Sequence, residues 1–281
     1  MLAAITIAAA LAFALLALYV GAGLWIYLRQ ERVLFHPSKE MLCDPSSAGL
    51  AFEQCSFRSA DGMELEAWFI PADRPRCCVL FCLGNAGNIS YYLETASEFH
   101  SLGCDLLLFN YRGYGNSGSG HDAFPSEAGV YLDAEAAWDY LVNARGIPAE
   151  RILLAGRSLG GGTACELALR RPVKALLLES TFKSIPSMAQ ELYPLYPSAL
   201  LARIKLDNLA KIPRIGIPTL IAHSFEDELV PHRHGKELFK LSGGSPKGFI
   251  TLSGSHNDCY FASSASYHAA LERFIQNTFE A

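Results

Sequence analysis

Six short apolar runs constrain the fold of this chain more than any other feature: "CCVLFCL", "CDLLLFN", "RILLAG", "VKALLLES", "PTLIAH" and "KGFITLS". Runs this short and this uniformly apolar read as strands buried on both faces, the signature of parallel pairing. Amphipathic stretches separate most of them. In "SEAGVYLDAEAAWDYLVNA", Val130, Ala134, Ala137, Trp138 and Leu141 recur at helical spacing. Ahead of the six, "FEQCSFR" and "MELEAWFI" flank Asp61-Gly62, a hairpin signal. An antiparallel pair followed by β-α repeats predicts an α/β fold, an open and mostly parallel sheet of about eight strands with helices on both faces.

Residues 1–29 stand apart. From Leu2 to Leu28 no residue is charged, a stretch of 27 residues, and about 20 suffice for a helix to cross a bilayer. Trp25 and Tyr27 sit near its end, as interfacial aromatics do, and Arg29 and Arg32 follow. A cleaved signal peptide would carry a basic start and a shorter apolar core, so the span reads as a retained single-pass transmembrane anchor. Arg29, Arg32 and Lys39 follow it and no basic side chain precedes it, which by the positive-inside rule puts the rest of the chain in the cytoplasm. Residues 30–281 then form one domain of ordinary α/β size.

Composition narrows the function. Hydrophobic residues make up 51% of the 281, charged residues only 18%, and the net charge is −5 with no basic run. Disorder is excluded by the first two figures, and a nucleic-acid partner, which needs a basic face, by the third. The eight cysteines form no C-x-x-C pattern and read as small core hydrophobes. "GYGNSG" (113–118) matches a dinucleotide fingerprint in letters only, because Tyr111 and Arg112 precede it and no helix opens at once. No cofactor is expected. His232 and His234 stand two apart at the start of an expected exposed helix, where they share no face, so no metal site is expected either. His36, His100, His121, His223 and His268 read as surface or satisfied structural residues.

One stretch breaks the rhythm. Almost forty residues rich in Tyr, Leu and Pro separate "VKALLLES" from "PTLIAH". They read as a small helical lid, about 181–212, or as a longer packed crossover.

In "ILLAGRSLGGG", Ser158 lies between Gly156 and Gly160, past one strand run and at the head of the helical "SLGGGTACELALRR". Strand, sharp turn and helix are what a G-x-S-x-G nucleophile elbow requires, and side chains at the two glycines would collide where strand and helix cross. A nucleophilic serine needs a base, and the base an acid to orient it. Asp227 in "IAHSFEDELVP" and His256 in "SGSHNDCY" follow later strands and fall on the same sheet edge as Ser158. An oxyanion hole takes one N–H from the residue after the nucleophile, Leu159, and one from the loop after the third strand, where "LGNAGN" offers Asn85. Asn88 is placed to cap the helix that follows.

Together, "LGNAGNIS", "YRGYGNSGS", "GRSLGGG", "HSFEDELVP" and "GSHND" resemble the α/β-hydrolase superfamily over about residues 30–278. Within it the chain is similar to the membrane-anchored serine hydrolases that include protein depalmitoylases, lysophospholipid lipases and bacterial relatives. The resemblance implies an α/β-hydrolase fold. It assigns Ser158, His256 and Asp227 as nucleophile, base and acid, ahead of Glu226 and of Glu179, which reads as a structural acceptor. Arg112 and Tyr114 are expected to brace the active-edge loops, and Asp258 to cap a helix. Members usually carry histidine where this chain has Leu83; the oxyanion donors are main-chain groups, so the hole is expected to survive. The implied activity is cleavage of carboxylic esters or thioesters, with lysophospholipids or acylated proteins at the bilayer as substrates. A serine peptidase of the same fold and a non-catalytic membrane scaffold are the alternatives.

Overall fold

Each apolar run that the sequence marks becomes a strand in the computed structural model, which describes residues 1–118 and 123–280. His121 lies outside the described residues. The chain runs α1 (Leu2–Leu28), β1 (Glu53–Arg58), β2 (Glu64–Ile70), β3 (Cys78–Cys82), α2 (Leu93–Ser101), β4 (Asp105–Phe109), α3 (Glu127–Asp139), β5 (Ile152–Arg157), α4 (Leu159–Arg170), β6 (Ala175–Glu179), α5 (Ile185–Leu192), α6 (Ser198–Leu201), β7 (Thr219–Ser224), α7 (Arg233–Leu241), β8 (Lys247–Leu252) and α8 (Ser264–Phe279). All eight strands join one sheet in the order β8-β7-β6-β5-β3-β4-β2-β1. Only β1–β2 and β2–β4 pair antiparallel. The hairpin turns at Gly62, whose φ of +85° a side chain would disfavour.

The interior strands β3 and β6 are buried at every residue: β3 is apolar throughout, and β6 is apolar up to its last residue, Glu179. Cys77, just before β3, meets Cys104 at 3.4 Å between sulfurs. Helices cover both faces. On one, α2 and α8 are tied by His268 to Glu98 at 2.9 Å; on the other, α3 packs on α4 and α7 on β7.

The order of strands sets where a site can form. From β3 the chain steps to β4 on one side, then returns past β3 to β5 on the other. The carboxyl ends of β3 and β5 therefore flank the topological switch point, in register through Cys82 and Gly156.

Three local expectations change. The helix start at Arg233 is not exposed on the His234 side: His234, Gly235 and Leu238 form the buried face of α7. There His234 accepts from the Lys183 N–H at Nδ1 (3.1 Å) and donates from Nε2 to Glu191 (2.9 Å). Asn88 caps a 3-10 turn, Ile89–Tyr92, ahead of α2. Asp258 precedes the short helix Cys259–Ala262, but its carboxylate accepts from the Ser255 hydroxyl at 2.7 Å instead of capping a main-chain N–H.

α1 is long and apolar enough to cross a membrane, and its residues face outward from the rest of the fold except at its C-terminal end. A short helix, Gln30–Leu34, follows at once.

The start of α4 runs against the end of β3 and leaves no room at Gly160, where an added Cβ would overlap the carbonyl oxygens of Cys82 and Leu83. Main chain cannot step aside cheaply, and overpacking of this kind costs about 1–3 kcal/mol. Gly160→Ala should lower the Tm by at least about 2 °C, taking roughly 2–4 °C per kcal/mol for a domain this size; thermal unfolding in detergent measures it.

Candidate active site

Ser158 owes its position to an unfavourable backbone. Its φ of 53° and ψ of −117° lie outside the regions that L-residues prefer, a strain of about 1–3 kcal/mol that persists only when surroundings over-determine it. They do so here. The Ser158 N–H donates to the Glu179 carbonyl at 2.8 Å, and its carbonyl accepts from the Thr181 hydroxyl at 2.7 Å. Gly156 and Gly160 let strand and helix close around the turn. Beneath it, the Glu179 carboxylate is fully buried. It accepts from Arg157 Nε at 2.8 Å and from the Tyr267 hydroxyl. Arg157 in turn stacks on Tyr260 at 3.7 Å. Glu179 thus serves as a structural acceptor under the serine turn.

The structure brings Ser158, His256 and Asp227 into one chain of hydrogen bonds. His256 Nε2 lies 3.1 Å from Ser158 Oγ, and His256 Nδ1 lies 2.8 Å from Asp227 Oδ2. Asp227 Oδ1 accepts the N–H groups of Leu229 (3.0 Å) and Val230 (2.7 Å). Burial acts to raise the Asp227 pKa, but hydrogen bonds from His223 and His256 outweigh it and hold the carboxyl well below the usual carboxylate range. The neighbouring acids have a different use: Glu226 accepts from the Gly254 N–H at 2.6 Å and Glu228 from the His256 N–H at 3.0 Å. Both clamp the histidine loop and neither meets the imidazole.

Asn85 and Leu159 border the same cavity as Ser158 and His256. Among the described residues, neither main-chain N–H donates to a protein acceptor. At Leu159 this follows from its place as the first residue of α4. The Asn85 loop is held from three sides: its carbonyl accepts from the Tyr114 hydroxyl (2.6 Å) and from the His36 N–H (2.8 Å), and its side chain donates to the Leu34 carbonyl (3.0 Å). His36–Pro37 pairs in parallel with Ala86–Gly87, so the segment just after α1 is a strut for this loop. Leu83 is fully buried in the core, and its carbonyl lies 3.4 Å from the Tyr111 hydroxyl. Arg112 braces the same edge through ion pairs to Asp133 and Asp61.

Sequence reasoning missed His223. It is fully buried, donates from Nε2 to the Val230 carbonyl at 2.7 Å, and brings that nitrogen 3.4 Å from Asp227 Oδ2. Its spacing of four before Asp227, at the end of an apolar strand, was the available signal.

A cavity of about 290 Å³ opens at Ser158. Its walls come from α1 and Gln30–Leu34 on one side and from Phe182 to Ile204 on the other; among the described residues no Asp, Glu, Lys or Arg borders it.

Comparison with known proteins bears on the family and the fold. The family described as serine aminopeptidase, S33, matches residues 73–206. An α/β hydrolase domain-containing protein, WAV2, of Arabidopsis thaliana is 32% identical over 88% of this chain and 87% of its own length. An uncharacterized membrane protein, YNL320W, of Saccharomyces cerevisiae is 30% identical over 83% of this chain and 84% of its own. Among solved structures, an esterase of Pyrococcus furiosus, PF2001, superposes with a TM-score of 0.72 at 15% identity, over 88% of this chain and 98% of that one, a likeness of fold.

The depressed Asp227 pKa has a consequence for stability. An ionised Asp227 favours the folded state above its unfolded pKa of about 3.9, and that contribution is lost as the pH falls toward the lower folded value. The Tm gap between the wild type and Asp227→Asn should therefore be widest near pH 7 and narrow at about pH 3; paired melting curves at the two pH values check this.

Proposed function

The chain belongs to the α/β-hydrolase superfamily, and from that premise we propose that it is a membrane-anchored serine hydrolase cleaving carboxylic esters or thioesters through an acyl-enzyme. One observation carries the reading: the hydrogen-bonded series Ser158, His256 and Asp227 ends at an uncharged apolar cavity. In this reading His256 Nε2 takes the Ser158 hydroxyl proton as Oγ attacks the acyl carbon. Asp227 accepts from Nδ1, fixes the tautomer and stabilises the imidazolium. The Asn85 and Leu159 N–H groups stabilise the oxyanion. His256 then gives its proton to the departing alkoxide or thiolate. Water, deprotonated by the same nitrogen, releases the acid and restores Ser158.

Supporting the bilayer assignment are the uncharged α1 and the relative described as a membrane protein. α1 is the retained anchor and residues 30–281 the hydrolase domain, which the basic residues after the span put on the cytoplasmic side. Residues 181–212 act as a small lid over Ser158. A lysophospholipid or an acylated protein fits such a site.

The description of the matching family favours a second reading, an aminopeptidase. Such an enzyme must hold a free ammonium near its serine, and a buried charge needs a charged or strongly polar partner. Among the described residues no acidic side chain borders this cavity, which favours the ester.

Ser158→Ala should abolish both ester hydrolysis and covalent labelling by a fluorophosphonate, while Asp227→Asn should lower kcat roughly 10⁴-fold. Full labelling of the Ser158→Ala variant overturns the assignment and moves the nucleophile to another residue, whereas a wild type that takes no label returns the chain to a scaffold role.

A further inference from the structure

We propose that the C-terminal end of the anchor helix is itself a wall of the acyl-binding site, and that the chain it holds is the aliphatic acyl chain of a membrane-resident ester. The proposal rests on the ester-hydrolase reading and adds the substrate's shape to it.

Four residues of this region, Gly23, Ile26, Tyr27 and Gln30, are partly buried while their neighbours are exposed. Their spacing of three, four and seven marks one helical face. All four border the cavity at Ser158, as do Val33 and Leu34. Met188 and Leu192 of α5 stand on the opposite wall. The anchor is docked here by specific contacts. Tyr19 donates to the Leu195 carbonyl at 2.5 Å and Tyr196 to the Tyr19 carbonyl at 3.0 Å, with the two rings stacked at 4.4 Å. Gln30 donates to the Leu201 carbonyl (2.8 Å) and accepts from the Arg203 N–H (2.7 Å). Gly23 permits the approach, since a Cβ there would come 2.8 Å from the Tyr196 ring.

The occupant follows from depth and polarity. A helix of 27 residues is about 40 Å long at 1.5 Å per residue, whereas the hydrocarbon core is about 30 Å thick. The surplus of about ten ångströms matches roughly the last seven residues, the stretch that contributes Gly23, Ile26 and Tyr27 to the cavity. Leu192, Leu195 and Leu200, on the segment docked against them, are 60%, 83% and 85% exposed. An exposed apolar patch of this kind belongs against lipid. The cavity thus begins at Ser158, ends at the level of the headgroups, and offers no charge along the way. An acyl chain whose ester carbonyl is at Ser158 and whose tail lies between α1 and α5 matches it.

The test uses the full-length protein in micelles and p-nitrophenyl esters from acetate to dodecanoate. For the wild type, kcat/KM should rise with chain length by up to about fourfold per methylene, the equivalent of about 0.8 kcal/mol per buried CH₂. Ile26→Trp, which fills the cavity from the anchor side, should lower the dodecanoate-to-acetate ratio of kcat/KM at least about tenfold, as should Met188→Trp from the opposite wall. Leu28→Trp, on the exposed face of α1, should keep the wild-type profile. A shift in Met188→Trp with none in Ile26→Trp would show that the anchor is not a wall, and the ester-hydrolase reading would stand. A wild type that hydrolyses none of the esters and takes no fluorophosphonate would overturn both. Dodecanoyl lysophosphatidylcholine and an S-dodecanoyl peptide, assayed side by side, identify the head group that carries the chain; the inference requires that Ile26→Trp reduce turnover of whichever is hydrolysed.

Discussion

Everything at the sheet edge depends on holding one residue in a conformation it would not choose. Ser158 takes a positive φ between β5 and α4, and the hydroxyl faces His256 only because of it. The stabilising forces are ordinary: a main-chain bond to Glu179, a side-chain bond from Thr181, and two glycines that let a helix and a strand cross in contact. Glu179 has a double duty. Its carbonyl fixes the serine and its carboxylate anchors Arg157, the residue just before it. A buried carboxylate with two donors is costly to disturb, because either loss leaves a charge without a partner.

The opposite side of the site is built on different principles. His256 and Asp227 sit on loops, where rigidity has to come from hydrogen bonds instead of strand pairing. Glu226 and Glu228 grip the main chain of the His256 loop, Leu229 and Val230 grip Asp227, and His223 closes the space behind. The "FEDELVP" segment thus uses each of its three acids once, with only the middle one reaching the imidazole.

Strands β3 to β7 were legible because their burial on both faces leaves no alternation to misread, and the elbow because its steric demands allow few residues. The apolar helix α1 was legible from length and lack of charge. His223 and His234 were not, since burial of a polar side chain depends on which partners tertiary packing supplies: the Val230 carbonyl for one, Lys183 N–H and Glu191 for the other. The docking of Tyr19 on Tyr196 was hidden for a similar reason. The two residues are 177 positions apart, and neither segment carries a local pattern that names the other.

The segment from Arg29 to Pro37 has no slack. One helix ends at Leu28, another spans Gln30–Leu34, and by His36 the chain is paired to the loop that holds Asn85. A domain on a flexible leash samples every orientation and meets its target at a concentration set by the leash length. With α1 in the bilayer, as proposed above, this chain would present Ser158 to the membrane in one pose, at one height. Its search for a partner would then reduce to lateral diffusion in a plane.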